Sequence, residues 1–155
     1  MNCYVKLIAP VFLITTVMTA CQGGPKFSDV TNKDWNLVKV HIDSKEIDFD
    51  RNKIKEEGFG EIFTLRFDGG DQRVNGVAAP NRYMAPYTQE DERLSIGLAA
   101  NTMMATLLNT PERLKEQDYF IYLKNTYKWN LSGGNLELYT KTEDGTEVVL
   151  FYNIN

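Results

Sequence analysis

Apolar and polar side chains alternate along several short runs of this chain, and a period of two residues is typical of β-strands that bury one face. Residues 35–42 alternate in this way and predict a first strand with Trp35 in the core, and a short second strand is expected at 46–49. The charged stretch 43–57 carries only three apolar residues. Beyond the short strand we therefore expect a solvated loop rather than a helix.

The segment 61–106 is the part around which the other elements are expected to be arranged. Residues 62–67 alternate, break at Asp68-Gly69-Gly70 and resume through Val77. Two alternating runs joined by a short glycine-containing break are the pattern of a β-hairpin. The centre of this segment is therefore predicted to be a hairpin.

Two prolines, Pro80 and Pro86, bracket the residues that follow the hairpin. Because proline cannot donate a hydrogen bond to an interior ladder, we expect a sheet edge or a loop there. Apolar residues then recur at 94–98 and 101–108 and predict two further strands.

A helix start is predicted at residues 110–112, where Thr can act as the N-cap, Pro takes the first helical position and Glu lies in the first turn. Apolar residues then recur at helical spacing, at Phe120, Leu123 and Tyr127. We expect a helix over 111–124 that packs on the sheet.

The last third of the chain predicts three strands, at 127–131, 136–141 and 147–152. They are separated by residues 132–135, with two adjacent glycines, and by an Asp-Gly turn at 144–145, which is a strong hairpin signal. The predicted fold class is α+β, with a curved, mainly antiparallel sheet or partial barrel of about eight short strands and one helix packed on it.

The N-terminal residues predict export from the cytoplasm. Lys6 precedes an uncharged run over 7–18, and small residues come directly before Cys21, which is the pattern of a signal peptide. The run is shorter than the roughly 18 residues of a membrane-spanning helix. Met18-Thr19-Ala20-Cys21 resembles the cleavage motif of bacterial lipoproteins, and an ordinary signal peptide cleaved nearby is the alternative.

These features divide the chain into a lipoprotein signal peptide at 1–20, a tether at 21–33 and one globular domain at 34–155. Several acyl chains on Cys21 would give stable membrane anchoring. Gln22 is not aspartate, which by resemblance to enteric lipoproteins favours the outer membrane, with the domain facing the periplasm.

Charge and residue usage exclude several kinds of function. The chain has 17 Lys and Arg against 21 Asp and Glu, a net charge of −4, so it has no electrostatic footprint for nucleic acid. After cleavage Cys21 is the one cysteine left, which excludes an intramolecular disulfide. His41 is the single histidine and is expected at a surface or an edge. We expect no catalytic residue, metal site or cofactor.

Four pieces of the sequence occur in the order known for one family. Trp35 and Leu37 open the pattern, residues 76–83 (GVAAPNRY) and 102–106 (TMMAT) follow, and the helix and last strands complete it. The chain thus resembles the META-domain family, which includes the HslJ-like bacterial lipoproteins. Two cysteines of the family pattern are replaced here by Pro80 and Thr106, and its arginine in the third piece is Met103.

The resemblance implies a small curved-sheet domain of the bacterial envelope, linked to stress or antibiotic tolerance, without an established catalytic activity. We expect a monomeric, lipid-anchored, non-catalytic domain that acts by interaction with an envelope protein. The alternative is a lipocalin-like binder of a small apolar ligand, because the chain contains eight Phe and eight Tyr, which are many for a protein of this size.

One polar corner is a candidate site, formed by Asn75, Asn81, Arg82 and Tyr83. It can be structural, since Asn and Arg side chains often bond to loop backbone, or it can be a binding surface. We expect the structural role, with Arg82 buried and bonded to backbone carbonyls between the two prolines.

Overall fold

The computed structural model describes residues 24–102 and 114–154. A 3-10 turn over Phe27–Asp29 comes first. The strands are β1 (Trp35–Ile42), β2 (Lys45–Asp48), β3 (Thr64–Asp68), β4 (Arg73–Val77), β5 (Arg82–Glu90), β6 (Arg93–Ile96), β7 (Ala100–Asn101), β8 (Lys128–Ser132), β9 (Asn135–Lys141) and β10 (Glu147–Asn153). The helices are α1 (Arg51–Glu56) and α2 (Glu116–Lys124).

Eight of these strands form a closed antiparallel barrel. Their order is β1, β3, β4, β5, β6, β8, β9 and β10, and β10 pairs with β1 to close the ring. Strand β2 pairs with the second half of β1, and the two-residue β7 pairs with β5. The predicted antiparallel sheet is confirmed, but it closes completely and the fold is mostly β.

Several predicted elements are confirmed. The first strand has the expected bounds, the central hairpin is formed by β3 and β4, and the last third of the chain forms β8, β9 and β10. The hairpin turn is fixed by Asp68, whose side-chain oxygen accepts hydrogen bonds from the backbone N–H groups of Gly70 and Asp71. Gly133 and Gly134 adopt positive φ angles in the β8–β9 turn, which explains the two glycines there.

The expectation of a loop in the charged stretch is wrong, because α1 lies there. Asp50 caps this helix: one side-chain oxygen accepts from the backbone N–H groups of Asn52 and Lys53, at 3.0 and 3.2 Å. Ile54 is the one buried residue of α1 and fixes the helix to the barrel. A six-residue helix with a single buried position is too short to show a helical period in sequence.

The expectation of a sheet edge or loop between the two prolines is also wrong. Strand β5 runs through Pro86 and lies between β4 on one side and β6 and β7 on the other. The carbonyl of Pro86 accepts from the N–H of Gly97 at 2.8 Å, and the backbone N–H of Tyr87 donates to the carbonyl of Gln72. The neighbouring backbone groups thus hold the strand in the sheet despite the missing donor.

Helix α2 follows the prediction in its last part. It ends at Lys124 as expected but begins only at Glu116, after an extended Lys115, so the prediction of one helix over 111–124 is wrong at its N-terminal end. Residues 110–112, and nearly all of the strand predicted at 101–108, lie outside the described residues. Its buried residues are Tyr119, Tyr122 and Leu123. Tyr127, which helical spacing groups with Phe120 and Leu123, lies after the end of the helix, and its ring is 40% exposed.

Two aromatic clusters fill the two ends of the barrel. Tyr83 and Tyr87 both point inward from β5, four residues and therefore about 13 Å apart along the strand. Phe27 and Phe67 pack against Tyr87, and Trp129 joins this cluster through Phe27. Tyr119 and Phe120 pack against Tyr83, and Phe63 joins that cluster through Tyr119.

The predicted tether overlaps the folded domain. Phe27 lies in the first aromatic cluster, with its ring centroid 5.0 Å from that of Trp129, and Val30 is fully buried. The carbonyl of Val30 accepts a hydrogen bond from the indole N–H of Trp35 at 2.9 Å. The domain therefore starts before residue 34, while Cys21 and the predicted signal peptide lie outside the described residues.

Candidate functional site

The four residues of the predicted corner divide between the inside and the outside of the barrel. Strand β5 places Tyr83 inward, as it does Ala85 and Tyr87, and Arg82 outward. Asn81, just before the strand, is buried, and Asn75 lies half-buried on β4. The corner is therefore not one cluster of side chains.

Asn81 joins the chain before β5 to helix α2. Its side-chain Nδ2 donates to Glu116 Oε2 at 2.9 Å, and its backbone N–H donates to Glu116 Oε1 at 3.2 Å. Its Oδ1 accepts from the hydroxyl of Thr102 at 3.1 Å, and its carbonyl accepts from Ala78 at 2.7 Å. These bonds satisfy a buried amide from several sides, which is a structural role.

Tyr83 is also structural and belongs to a chain of buried hydroxyls. Its hydroxyl donates to the carbonyl of Thr64 at 2.8 Å and lies 3.3 Å from the hydroxyl of Tyr119. Tyr152 donates in turn to Tyr119 at 3.2 Å. Burial raises the pKa of each of these three tyrosines well above the ordinary value, so all three hydroxyls stay neutral hydrogen-bond donors.

Arg82 does not have the expected structural role. Its side chain is exposed, and it makes no hydrogen bond or ion pair with any residue that the structure describes. The physical reason is the alternation of β5, which turns Arg82 outward because its neighbour Tyr83 is turned inward. The expectation that Arg82 is buried against backbone carbonyls is therefore wrong.

The outward residues of β3, β4 and β5 form three rows across the sheet. The registers place Arg66, Asn75 and Met84 in the middle row. One row beside it contains Thr64, Val77 and Arg82, and the other contains Asp68, Arg73 and Pro86. Successive rows on one face of a sheet are two residues, or about 6.7 Å, apart.

This face is the floor of an open groove of about 690 Å³, here called the β3–β5 groove. Its sides are formed by Lys33, Asp34, Asn36 and Ile154, beside the short pairing of β1 with β3. The volume lies within the range of roughly 300–1,000 Å³ that is usual for ligand sites. Its exposed apolar side chains are Met84 and Ile154, 45% and 46% exposed.

The charges of the groove differ from those of the whole chain. Lys33, Arg66 and Arg82 line it, with Asp34 and Glu61 as the carboxylates. Arg66 contacts Asp34, with 3.2 Å between Nη1 and each carboxylate oxygen. Lys33, like Arg82, has no partner among the described residues. The groove is thus cationic on an acidic protein.

Sequence reasoning identified Arg82 and Asn75 but missed the other residues of this surface. The missed residues are Lys33, Arg66, Arg73 and Met84. Arg66 and Arg73 occupy outward positions of the predicted hairpin, so the alternation could have placed them on one face. Lys33 was assigned to the tether, and its place beside the groove depends on how residues 24–34 pack on the barrel.

The interior of the barrel is relevant to the alternative function, a lipocalin-like binder that encloses a small apolar ligand. Large side chains from both aromatic clusters and from the strands between them are buried in one continuous core. The cavities of 690 and 630 Å³ among the described residues are both open to the outside. This packing favours contacts on the outer surface over a ligand in the barrel.

The described residues contain one histidine and several carboxylates that could in principle form another kind of site. His41 lies on the outer face of β1, with Nδ1 3.3 Å from Glu46 Oε1. No group of three or more His, Cys, Asp or Glu within 24–102 and 114–154 is arranged to hold a metal ion. In the same ranges no helix has the length and apolar character to cross a bilayer.

Comparisons with known proteins agree with the fold. The sequence model of the META domain family matches residues 28–153. A solved structure, described as the NMR structure of the protein from Burkholderia xenovorans, superposes with a TM-score of 0.63 at 18% identity and covers 100% of this chain and 97% of that one. No curated protein matches the chain. Since the family match extends over most of its length, the chain belongs to the META domain family.

Proposed function

We propose that the protein is a lipid-anchored, non-catalytic domain of the bacterial envelope that acts by binding another protein through the β3–β5 groove. The observation that carries this proposal is Arg82, an exposed cation without a partner in the described structure, which lines the groove. Arginine is enriched at protein interfaces, where it contributes strongly to binding.

The internal use of the other polar groups supports the same proposal. The polar groups of Asn81 and Tyr83 are hydrogen-bonded inside the domain, to Glu116 and to Thr64. These bonds fix the start of β5, the strand on which Arg82 lies. META domains are not a known enzyme family, which agrees with a binding role. In this proposal the anchor is the lipid on Cys21 in the outer membrane, and the interaction serves envelope stress or antibiotic tolerance, as the family resemblance implies.

The anchor is tested with a matched pair of cysteine variants in the full chain. Cys21→Ala should move the protein from the membrane fraction to the soluble one, whereas Cys3→Ala, which changes a residue within the predicted signal peptide, should leave it in the membrane. Intact-mass analysis of the wild type should find the acyl mass on residue 21. Membrane partition that survives Cys21→Ala would refute the anchor.

The interaction is tested by crosslinking from the groove. A photoreactive amino acid at Met84 should crosslink one envelope protein, and Arg82→Ala in the same chain should abolish that crosslink. The control is the photoreactive residue at Ser95, an outward and exposed position of β6 away from the groove. A crosslink that is independent of Arg82, or equally strong from position 95, would refute the groove as the contact surface.

A further inference from the structure

We propose that the β3–β5 groove binds an extended segment of its partner protein that carries carboxylates at alternate positions and lies along the strands. This inference rests on the proposed function and names the chemistry of the partner.

The first argument is charge complementarity. Arg82, Arg66 and Lys33 line the groove, and Arg73 lies beside it with Nη1 3.2 Å from the sulfur of Met84. Asp34 is held by Arg66, and the carboxylate of Asp68 is turned to the backbone of its own hairpin turn. Glu61 also lines the groove, but Lys33, Arg73 and Arg82 have no carboxylate partner among the described residues, so the cations exceed the carboxylates here on a chain of net charge −4. A partner with carboxylates fits this surface, and one with lysines does not.

The second argument is the spacing of the cations. Arg82, Arg66 and Arg73 occupy three successive rows, so their positions along the strand direction differ by about 6.7 Å from one to the next. In an extended peptide the side chains on one face also repeat every two residues, at the same interval. A segment with acidic residues at positions i, i+2 and i+4 therefore places one carboxylate at each row. Arginine can bind a carboxylate with two parallel hydrogen bonds.

The third argument concerns the backbone of the floor. Strand β4 is paired on both sides, with β3 and with β5, and the N–H of Val77 is satisfied by the hydroxyl of Thr64 at 3.1 Å. The occupant therefore binds through its side chains and not by adding a strand to the sheet. Met84 offers it a flexible apolar contact in the middle row, between the cations.

The test is an NMR titration of the soluble Cys21→Ala protein with three synthetic peptides. The first has the core Glu-Val-Glu-Val-Glu, the second replaces each Glu by Gln, and the third contains the same residues in the order Glu-Glu-Glu-Val-Val. We expect the alternating acidic peptide to bind most tightly and to shift the amide signals of Gly76, Val77, Arg82 and Met84. We expect Arg82→Gln to weaken this binding about tenfold.

The control variant is Arg93→Gln, an exposed arginine of β6 outside the groove, which should bind the peptide as the wild type does. Binding should also weaken as salt is raised. Equal affinity for the Glu and Gln peptides, equal affinity for the two acidic orders, or shifts away from the groove would overturn the inference. If no peptide binds while the crosslink from position 84 still depends on Arg82, this inference fails and the proposed function stands. If, in addition, no Arg82-dependent crosslink forms from position 84, both this inference and the proposed function fail.

Discussion

Gly76 and Tyr83 are paired across the β4–β5 ladder, and a β-carbon on Gly76 would lie 2.9 Å from the Tyr83 hydroxyl. The same atom would overlap the carbonyl oxygen of Thr64, which accepts the Tyr83 hydrogen bond. We therefore expect Gly76→Ala to lower the free energy of unfolding by about 3 kcal/mol, at the upper end for overpacking. Urea denaturation measures it. Gly69→Ala is the control, because its β-carbon would meet only ordinary contacts with Thr31, and a similar loss there would contradict the explanation.

The bond between Asn81 and Glu116 is expected to stabilise the attachment of α2 to the barrel. Removing a buried, charge-assisted partner costs about 1.5–3 kcal/mol, so Asn81→Ala and Glu116→Ala should each destabilise the domain by about 2 kcal/mol. Because the two changes remove one shared interaction, the double variant should lose less than the sum of the single ones. Chemical denaturation of all three variants tests this. Gln117→Ala, an exposed neighbour on α2, should change little.

Arg82→Ala should leave stability nearly unchanged. The side chain is exposed and has no partner in the described structure, and substitutions of this kind usually change the free energy of unfolding by less than about 0.5 kcal/mol. A thermal melt beside Asn81→Ala checks this, because the two positions are adjacent in sequence but opposite in role. A loss for Arg82→Ala as large as for Asn81→Ala would restore the structural interpretation of the corner.

Stability should fall steeply above pH 10. Burial raises the pKa of Tyr83, Tyr119 and Tyr152 well above 10.0, while in the unfolded chain these groups titrate near 10. Their contribution is therefore complete below pH 10 and is lost as the pH rises, because the unfolded state then releases protons that the folded state keeps. Each group adds about 1.4 kcal/mol per pH unit to the slope.

Urea denaturation between pH 8.5 and 11 measures this slope. Tyr119→Phe should reduce the slope by the contribution of one titrating group. It should also lower stability at neutral pH, because the contacts of this hydroxyl with those of Tyr83 and Tyr152 are lost. Tyr127→Phe is the comparison: this ring is 40% exposed, and the pKa of its hydroxyl is raised less, by partial burial and the hydrogen bond to Glu147, so this variant should reduce the slope less. An unchanged slope for Tyr119→Phe would mean that the hydroxyl is not held neutral in the core.

Phe27→Ala distinguishes a tether from a folded segment. Phe27 contacts Phe67, Tyr87 and Trp129, so its truncation should cost about 2 kcal/mol, somewhat less than for a fully buried ring. Ser28→Ala, at an exposed neighbour, should have little effect. Equal melting temperatures for the wild type and Phe27→Ala would favour the tether.

Local alternation predicted most of the strands but not how the sheet closes. β1, β3, β4 and the last three strands have a clear period of two, and the turns between the last three strands contain glycine at positive φ, whereas Gln72 has the positive φ of the β3–β4 turn. Closure depends on the pairing of β1 with β10, for example Leu37 with Tyr152, and residues so far apart in sequence leave no local signal of their contact.

The candidate site was found in part for similar reasons. The prolines at 80 and 86 argued against a strand between them. Without a strand, the sequence did not predict that Arg82 and Tyr83 point to opposite faces of the sheet. The sequence predicted a structural role for Asn81 and Tyr83 within their own loop. Their hydrogen-bond partners, Glu116 and Thr64, belong to other elements and could not be predicted locally. The cation rows depend on the register between three strands, which follows from the hairpins only when β5 is included.

The packed segment at the start of the domain also sets how far the barrel could stand from a membrane. Five residue steps separate Cys21 from Lys26, whose backbone N–H is already bonded to Asp29, and five steps span at most about 18 Å. Lys26 lines the same surface cavity as Glu90, which ends β5, and Arg82 is eight residues, or about 27 Å, away at the other end of that strand. If Cys21 carries the proposed lipid, this short connection would hold the Glu90 end near the headgroups and turn the Arg82 end away from the bilayer. A partner would then have to reach the groove from the side away from the bilayer.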